Sequence, residues 1–342
     1  MANTNPTDKE LDQKLFKEIS YKLGSNKNLV QAAGGNTSMK IGDSMIIKAS
    51  GTWLKDTFNK EIFVEVDLKS IKNKIHKNIE DNFAEDIISK NSLRPSTETS
   101  FHALINFKYV LHVHSTSTIA NAIYSDSENL LKEKLGNEIV FVPYIRPGFP
   151  LTKLIREKIN EKSKIIILEN HGLIIAGDDI NETYDLLIST HNKLDVILNS
   201  NFEIYENKDG VNLANYNKKT AEKYDIFKTS DDRLIEIFSK SFYPDHVIFL
   251  GPGVPFFENI EYATTFLSEL SFKKLSPPPF LIIKKLGLFQ FENCIEAANE
   301  MLDCFIEVLI RIDLKKDKKH LSSQQEDELL NWDAEIYRQK IN

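Results

Sequence analysis

The sequence predicts an α/β protein in two parts, and three observations carry that prediction. Apolar residues recur at helical spacing in some segments, as at Leu11, Leu15, Ile19 and Leu23, and form continuous runs in others, as in YVLHVHS and KIIILEN. The two kinds of segment interleave over the first 200 residues, the pattern of a sheet flanked by helices. From 201 to 219 the chain turns polar and rich in Asn and Lys, after which a second set of elements begins. The expected organisation is therefore an α/β domain over 1–200, a linker over 201–219 and a smaller C-terminal α/β extension over 220–342.

Each element has its own signal. A helix from Asp8 to Leu23 keeps polar residues between its apolar positions and so packs one face on a core. The stretch Gly24 to Lys40 is polar and glycine-rich through Gly34-Gly35-Asn36-Thr37-Ser38. SMIIKAS and EIFVEVDL then read as strands, with a tight turn at Gly42-Asp43 and a polar corner at Ser50-Gly51. After Pro95 the period changes, and Ser96 or Thr97 is placed to cap a helix containing Phe101, Leu104 and Ile105. YVLHVHS reads as a buried strand, STIANAIYS as a helix, KIIILEN as a strand ended by His171-Gly172, LIIAG as another strand, and Ile180 to Leu198 as a helix. In the second unit a short helix at Asp232 to Ser239 precedes a strand at HVIFL and a Gly251-Pro252-Gly253 turn. A hairpin follows in PFLIIKKLGLFQF, then helices at Glu292 to Ile312 and Ser322 to Lys340.

Composition narrows the function classes. With 43 Lys and Arg against 50 Asp and Glu, the net charge of −7 lacks the overall basic footprint of a nucleic-acid binder. No run approaches 18 apolar residues, and the start, MANTNPTDKELDQK, lacks the pattern of a secretory signal. A cytoplasmic protein with neither membrane nor nucleic acid as partner is expected. Cys294 and Cys304 sit within what reads as one amphipathic helix, as free thiols.

The chemistry concentrates at a few positions. In His112-Val113-His114 the imidazoles at i and i+2 point to one face of a strand and can meet one ion. Zinc that leaves a position open for substrate usually takes three protein ligands, with Zn–N of about 2.0–2.1 Å, so a third histidine is needed. His171 is the best placed, since it ends an apolar strand and precedes a glycine; taken alone, an HxH pair is also what two hydrogen-bonded core histidines look like. His102 reads as packing behind the pair, His76, His191 and His320 as solvent-facing, and His246 as a cap or an interdomain contact. Glu98, in the first turn of its helix, is the acid nearest these imidazoles, although such a position suits any ordinary carboxylate. The GGNTS and KASG stretches have the composition of anion-binding turns. Asn36, Thr37, Ser50 and the amides around Gly51 can donate to phosphate oxygens, and Ser96 and Thr97 add donors beside a helix start.

Taken together and in order, GGNTSMK, IIKASGTWL, RPSTETSFH, VLHVHSTS and ENHGLIIAGD resemble the class II aldolase/adducin family over about Leu11 to Ser200. The resemblance implies a three-layer α/β/α domain with a largely antiparallel central sheet, commonly assembled as a tetramer with active sites between subunits. It maps His112, His114 and His171 to metal ligands and Glu98 to the acid–base residue. It also places Asn36, Ser50, Gly51, Ser96 and Thr97 around the substrate phosphate. FYPDHVIFLGPG and ELLNWDAEIYRQK are similar to extended members related to the aldolase part of rhamnulose-phosphate aldolase/dehydrogenase fusions.

The function implied is a divalent-metal aldolase, zinc-dependent, acting on a phosphorylated ketose or related sugar acid. A decarboxylase or epimerase using similar metal–enolate chemistry is the alternative within the family. A non-enzymatic adducin-like interaction module, or a sugar-phosphate-binding module, is the alternative outside catalysis. The resemblance also implies a second proton donor, a tyrosine near the carboxy-terminal end or from a neighbouring subunit; Tyr205, Tyr216 and Tyr224, near the linker, are candidates by position alone. The extension over 220–342 is expected to serve as a lid or an assembly element.

Overall fold

Aliphatic runs buried on both faces belong in the middle of a sheet, and that is where Tyr109–Val113 and Gly172–Gly177 lie. The computed structural model describes residues 8–199, 204–205, 211–229 and 231–341. Seven strands form one sheet: β1 (Asn36–Ile41), β2 (Ser44–Lys48), β3 (Phe63–Asp67), β4 (Tyr109–Val113), β5 (Val140–Val142), β6 (Ile165–Leu168) and β7 (Gly172–Gly177). Their order is β3-β2-β1-β4-β7-β6-β5, antiparallel at every pairing except β5 with β6. The largely antiparallel sheet implied by the resemblance is therefore present.

Helices cover both faces: α1 (Asp8–Ser25), α2 (Leu68–His76), α3 (Thr99–Leu104), α4 (Thr116–Ala122), α5 (Ser127–Leu135), α6 (Phe149–Lys158) and α7 (Ile180–Leu194). Strand alternation divides β4 between two cores. Tyr109, Leu111 and Val113 pack with Phe16 and Ile19 of α1 and with Leu187 and Leu194 of α7. Val110 turns the other way, onto Phe101 of α3 and Leu151 and Ile155 of α6. His112 shares that second face, so the site forms on the α3 side of the sheet.

Three expectations for this region are corrected. Asn36-Thr37-Ser38 is no turn but the buried start of β1, because each polar group has a side-chain partner: Thr37 with the Ser20 hydroxyl at 2.8 Å, Ser38 with His102 Nδ1 at 2.7 Å. Helix α3 begins at Thr99, which leaves Glu98 as the residue before its first turn, and α7 ends at Leu194, four residues short of Leu198.

The chain divides into two compact units, the first running to Ala122 and resuming over Asp126–Asp195, the second comprising Ile123–Ser125 and Val196–Lys340. The second contains β8 (Tyr216–Lys218), β9 (Phe256–Phe257), β10 (Phe280–Ile283) and β11 (Gly287–Phe291), in the order β8-β11-β10-β9. Its helices are α8 (Asp232–Phe238), α9 (Pro244–Leu250), α10 (Ile260–Phe272), α11 (Glu296–Leu309), α12 (Ser323–Leu330) and α13 (Asp333–Ile341). Of the stretch expected as a linker, residues 216–218 form edge strand β8, while 201–203 and 206–210 lie outside the described residues. HVIFL is helical, not a strand. All seven residues of α9 are buried, so no polar face marks its period, and Pro244 at its start was the available signal. Ser322 to Lys340 is two helices broken at Asn331-Trp332, the first opened by a Ser322/Gln325 capping box. Cys304 is buried in α11 and Cys294 lies just before it, both as free thiols.

His246 lies inside α9, whose N-cap is Tyr243, and is no cap. It is fully buried between the rings of Tyr243 and Phe305, and neither ring nitrogen has a hydrogen-bond partner. Burial pushes its pKa down to about 3 from 6.5. The folded state then refuses a proton that the unfolded chain accepts, so stability is full above pH 6.5 and is lost as pH falls from there toward 3. The slope is about 1.4 kcal/mol per pH unit. His246→Phe is expected to gain about 2 kcal/mol on wild type between pH 7.5 and pH 5. Urea unfolding followed through Trp332 in a Trp53→Phe background checks this, and parallel pH profiles for the two proteins would refute it.

Candidate metal centre

A strand that carries histidines at alternate positions presents both rings to the same side, and His112 and His114 use this at the end of β4. His171 arrives from the turn joining β6 to β7. Asn170 takes a left-handed backbone conformation there (φ 53°), and Gly172 passes so close to β4 that a Cβ would collide with the Val113 carbonyl. The three rings stand 5.0 Å apart, centroid to centroid, for every pair. One nitrogen from each falls within 4.8 Å of the other two, and all three residues are buried. His112 Nδ1 lies 3.1 Å from the Leu173 carbonyl. A carbonyl only accepts, so Nδ1 carries the proton and Nε2 keeps its lone pair.

Glu98 closes the group. Its Oε2 lies 3.4 Å from His112 Nε2 and its Oε1 3.6 Å from His171 Nε2. Asn36 Nδ2 donates to Glu98 Oε2 at 2.7 Å and to Ser96 Oγ at 3.1 Å, while Oε1 is buried with no hydrogen-bond donor. Imidazole lone pairs and a carboxylate gathered out of water repel one another unless a cation sits among them. The donor set therefore fits a divalent ion, with three nitrogens to hold it.

The expected phosphate residues fall in three places. Asn36, Ser96 and Glu98 are in direct contact; Ser96 Oγ also accepts from the Glu98 amide at 3.2 Å. Both amide hydrogens of Asn36 are thus used within the protein. Ser50 and Gly51 are brought alongside by a bridge between Ala49 and Pro95 and by Ser50 N–H donating to Arg94 O at 2.8 Å. Thr97 is half-buried between Ser96 and Glu98. Sequence reasoning missed Lys48. Its buried ammonium donates to Ala33 O at 2.8 Å and Thr52 O at 2.7 Å, tying the glycine-rich segment to the Ser50-Gly51 corner. A lysine ending an otherwise apolar strand was the available signal.

His102 is fully buried and stacked on Phe101 at 4.7 Å, behind the cluster as expected. Burial holds its pKa well below the usual histidine value. His191 is corrected: it is buried, its Nδ1 sharing hydrogen bonds with Ser115 Oγ (2.8 Å) and Ser117 Oγ (2.9 Å). His76 and His320 are exposed. The Tyr216 hydroxyl donates to Pro278 O within the second unit, and Tyr224 lies under Lys219 and Lys223.

Among the described residues no helix is long and apolar enough to cross a membrane. Residues 17–198 match the family model described as the class II aldolase and adducin N-terminal domain. The uncharacterized oxidoreductase YuxG of Bacillus subtilis is 29% identical over 209 residues, 55% of this chain and 30% of that protein. The chain thus spans under a third of that relative's length. The L-fuculose phosphate aldolase of Methanocaldococcus jannaschii is 29% identical over 184 residues, 51% of this chain and 88% of that one. The methylthioribulose-1-phosphate dehydratase of B. subtilis is 28% identical over 206 residues, 52% and 90%. Among solved structures, the N-terminal class II aldolase domain of a Thermoplasma acidophilum protein is similar in fold. Its TM-score is 0.50 at 24% identity, covering 57% of this chain and 95% of that one.

Proposed function

The chain belongs to the class II aldolase and adducin family, and from that premise we propose that it is a divalent-metal aldolase that makes or breaks a carbon–carbon bond in a phosphorylated ketose or related sugar acid. The observation that carries this reading is the Glu98 carboxylate facing His112 and His171, two of the three buried imidazoles that His114 completes. A carboxylate able to move a proton lies against a cation-holding group, which neither a purely structural histidine cluster nor an interaction surface requires. The ion, zinc in this reading, supplies Lewis acidity to the charge that builds on the ketose oxygens at cleavage.

The protein's own residues do the rest. His112, His114 and His171 hold the ion on the α3 face of the sheet. Glu98 moves the proton at the nucleophilic carbon. Ser50, Gly51, Ser96 and Thr97 surround the phosphate, with Asn36 beside them bonded to Ser96, so that binding at the remote end fixes the reacting end. The protein works in the cytoplasm as a homo-oligomer, a tetramer by the resemblance, with 220–342 as lid or assembly element.

Elemental analysis and NMR test this together. The expected result is about one divalent ion per chain, as for a site with three protein ligands and an open position. With dihydroxyacetone phosphate in D2O, a carbon-bound hydrogen should exchange only while the metal is present, and a ketose phosphate should yield two carbonyl products. Carbon dioxide, an epimer or a dehydrated ketone as sole product would assign a different reaction to the same site. Metal-free protein of full activity would overturn the reading.

A further inference from the structure

We propose that His102 is a positioning residue that fixes the Asn36 side-chain amide and, through it, the direction of the Glu98 carboxylate; the inference rests on Glu98 being the acid–base group. Asn36 Nδ2 spends its two hydrogens on Glu98 Oε2, 2.7 Å away, and Ser96 Oγ, 3.1 Å away. Asn36 Oδ1 therefore points the other way and can only accept. The group that meets it is His102 Nε2, in short hydrogen-bond contact. Nε2 must carry the ring proton, and Nδ1 then accepts from Ser38 Oγ at 2.7 Å. One tautomer satisfies every partner.

The reverse arrangement shows what this orientation prevents. An Asn36 flipped by 180° would turn Oδ1 on a carboxylate and Nδ2 on the Nε2 proton, placing acceptor against acceptor and donor against donor. The flip is therefore closed while His102 keeps its proton on Nε2. His102 is wholly buried, stacked on Phe101, and its backbone N–H donates to Glu98 O at 3.3 Å, one helical turn away. Asn36 lies directly opposite His112 in the β1–β4 register, so the clamp and a metal ligand sit on adjoining strands. The burial that holds the imidazole neutral also preserves the tautomer.

The test uses the full-length, metal-loaded protein, with deuterium exchange into dihydroxyacetone phosphate as the assay. His102→Phe keeps the ring and loses both nitrogens; His102→Gln keeps an N–H donor. His102→Phe is expected to retain its metal, to lose roughly 10–100-fold in saturated exchange rate, the usual cost of removing such a partner, and to change less in KM. His102→Gln should recover most of the rate. Nitrogen-15 NMR of the wild type should show His102 as the neutral Nε2–H form from pH 6 to pH 8, a readout that needs neither turnover nor a folded variant. An Nδ1–H tautomer or an imidazolium would overturn the proposal, as would His102→Gln no faster than His102→Phe. Glu98→Gln separates the two failures: exchange persisting there overturns the acid assignment, whereas exchange lost there but intact in His102→Phe overturns the positioning role alone.

Discussion

His171→Ala is expected to lose the divalent ion on dialysis and, with it, all measurable exchange and cleavage, while the fold survives. Two imidazoles from one strand remain after the substitution, and a cation left with two protein nitrogens is held far more weakly than one with three. Removing an outer partner of a ligand already costs about 10–100-fold in affinity, so removal of a ligand should exceed that range. The fold should persist because His171 lies in the turn between β6 and β7, whereas the β4–β7 pairing runs from Val113 with Leu173 to Tyr109 with Gly177. His191→Ala is the control: it removes another buried histidine, bonded to Ser115 and Ser117, that the centre does not use. The control should keep its metal. Elemental analysis after dialysis, with circular dichroism to confirm folding, decides the matter; equal metal in wild type and His171→Ala would dismiss the three-histidine assignment.

The legible part of this site was the part written in short-range periodicity. An HxH pair on an apolar strand declares a common face, and a histidine followed by glycine at a strand end declares a bend that can bring it back. What sequence could not declare were the polar residues whose partners lie on other elements. Asn36, Thr37 and Ser38 read as turn because such residues favour turns when their hydrogen bonds are local. Here the partners are Ser20, Ser96, Glu98 and His102, and the segment is a buried strand. Lys48 announced itself only as a lysine ending an apolar strand; its acceptors, backbone carbonyls in loops on either side of it in sequence, were not legible. HVIFL failed differently. An apolar run buried all round carries no period, and the strand or helix decision falls to a single proline.

Glu98→Gln is expected to leave fold and metal in place and to slow proton exchange by about 10²–10⁴-fold, the usual contribution of a positioned acid–base group. The geometry makes this a clean substitution. Asn36 Nδ2 can donate only to an acceptor, so the glutamine must present its oxygen where Oε2 now sits and its NH2 where Oε1 now lies, 3.6 Å from His171 Nε2. The side chain keeps its shape and its anchor, but an amide is far too weak a base to take a proton from carbon. A residue that served only to balance the charge of the ion would behave otherwise, since its loss would show first as weakened metal binding and could be offset by added metal. Glu98→Gln protein saturated with metal therefore separates the two roles. Exchange that stays slow in excess zinc identifies Glu98 as the group that moves the proton, and exchange restored by zinc would reassign the carboxylate to holding the cation.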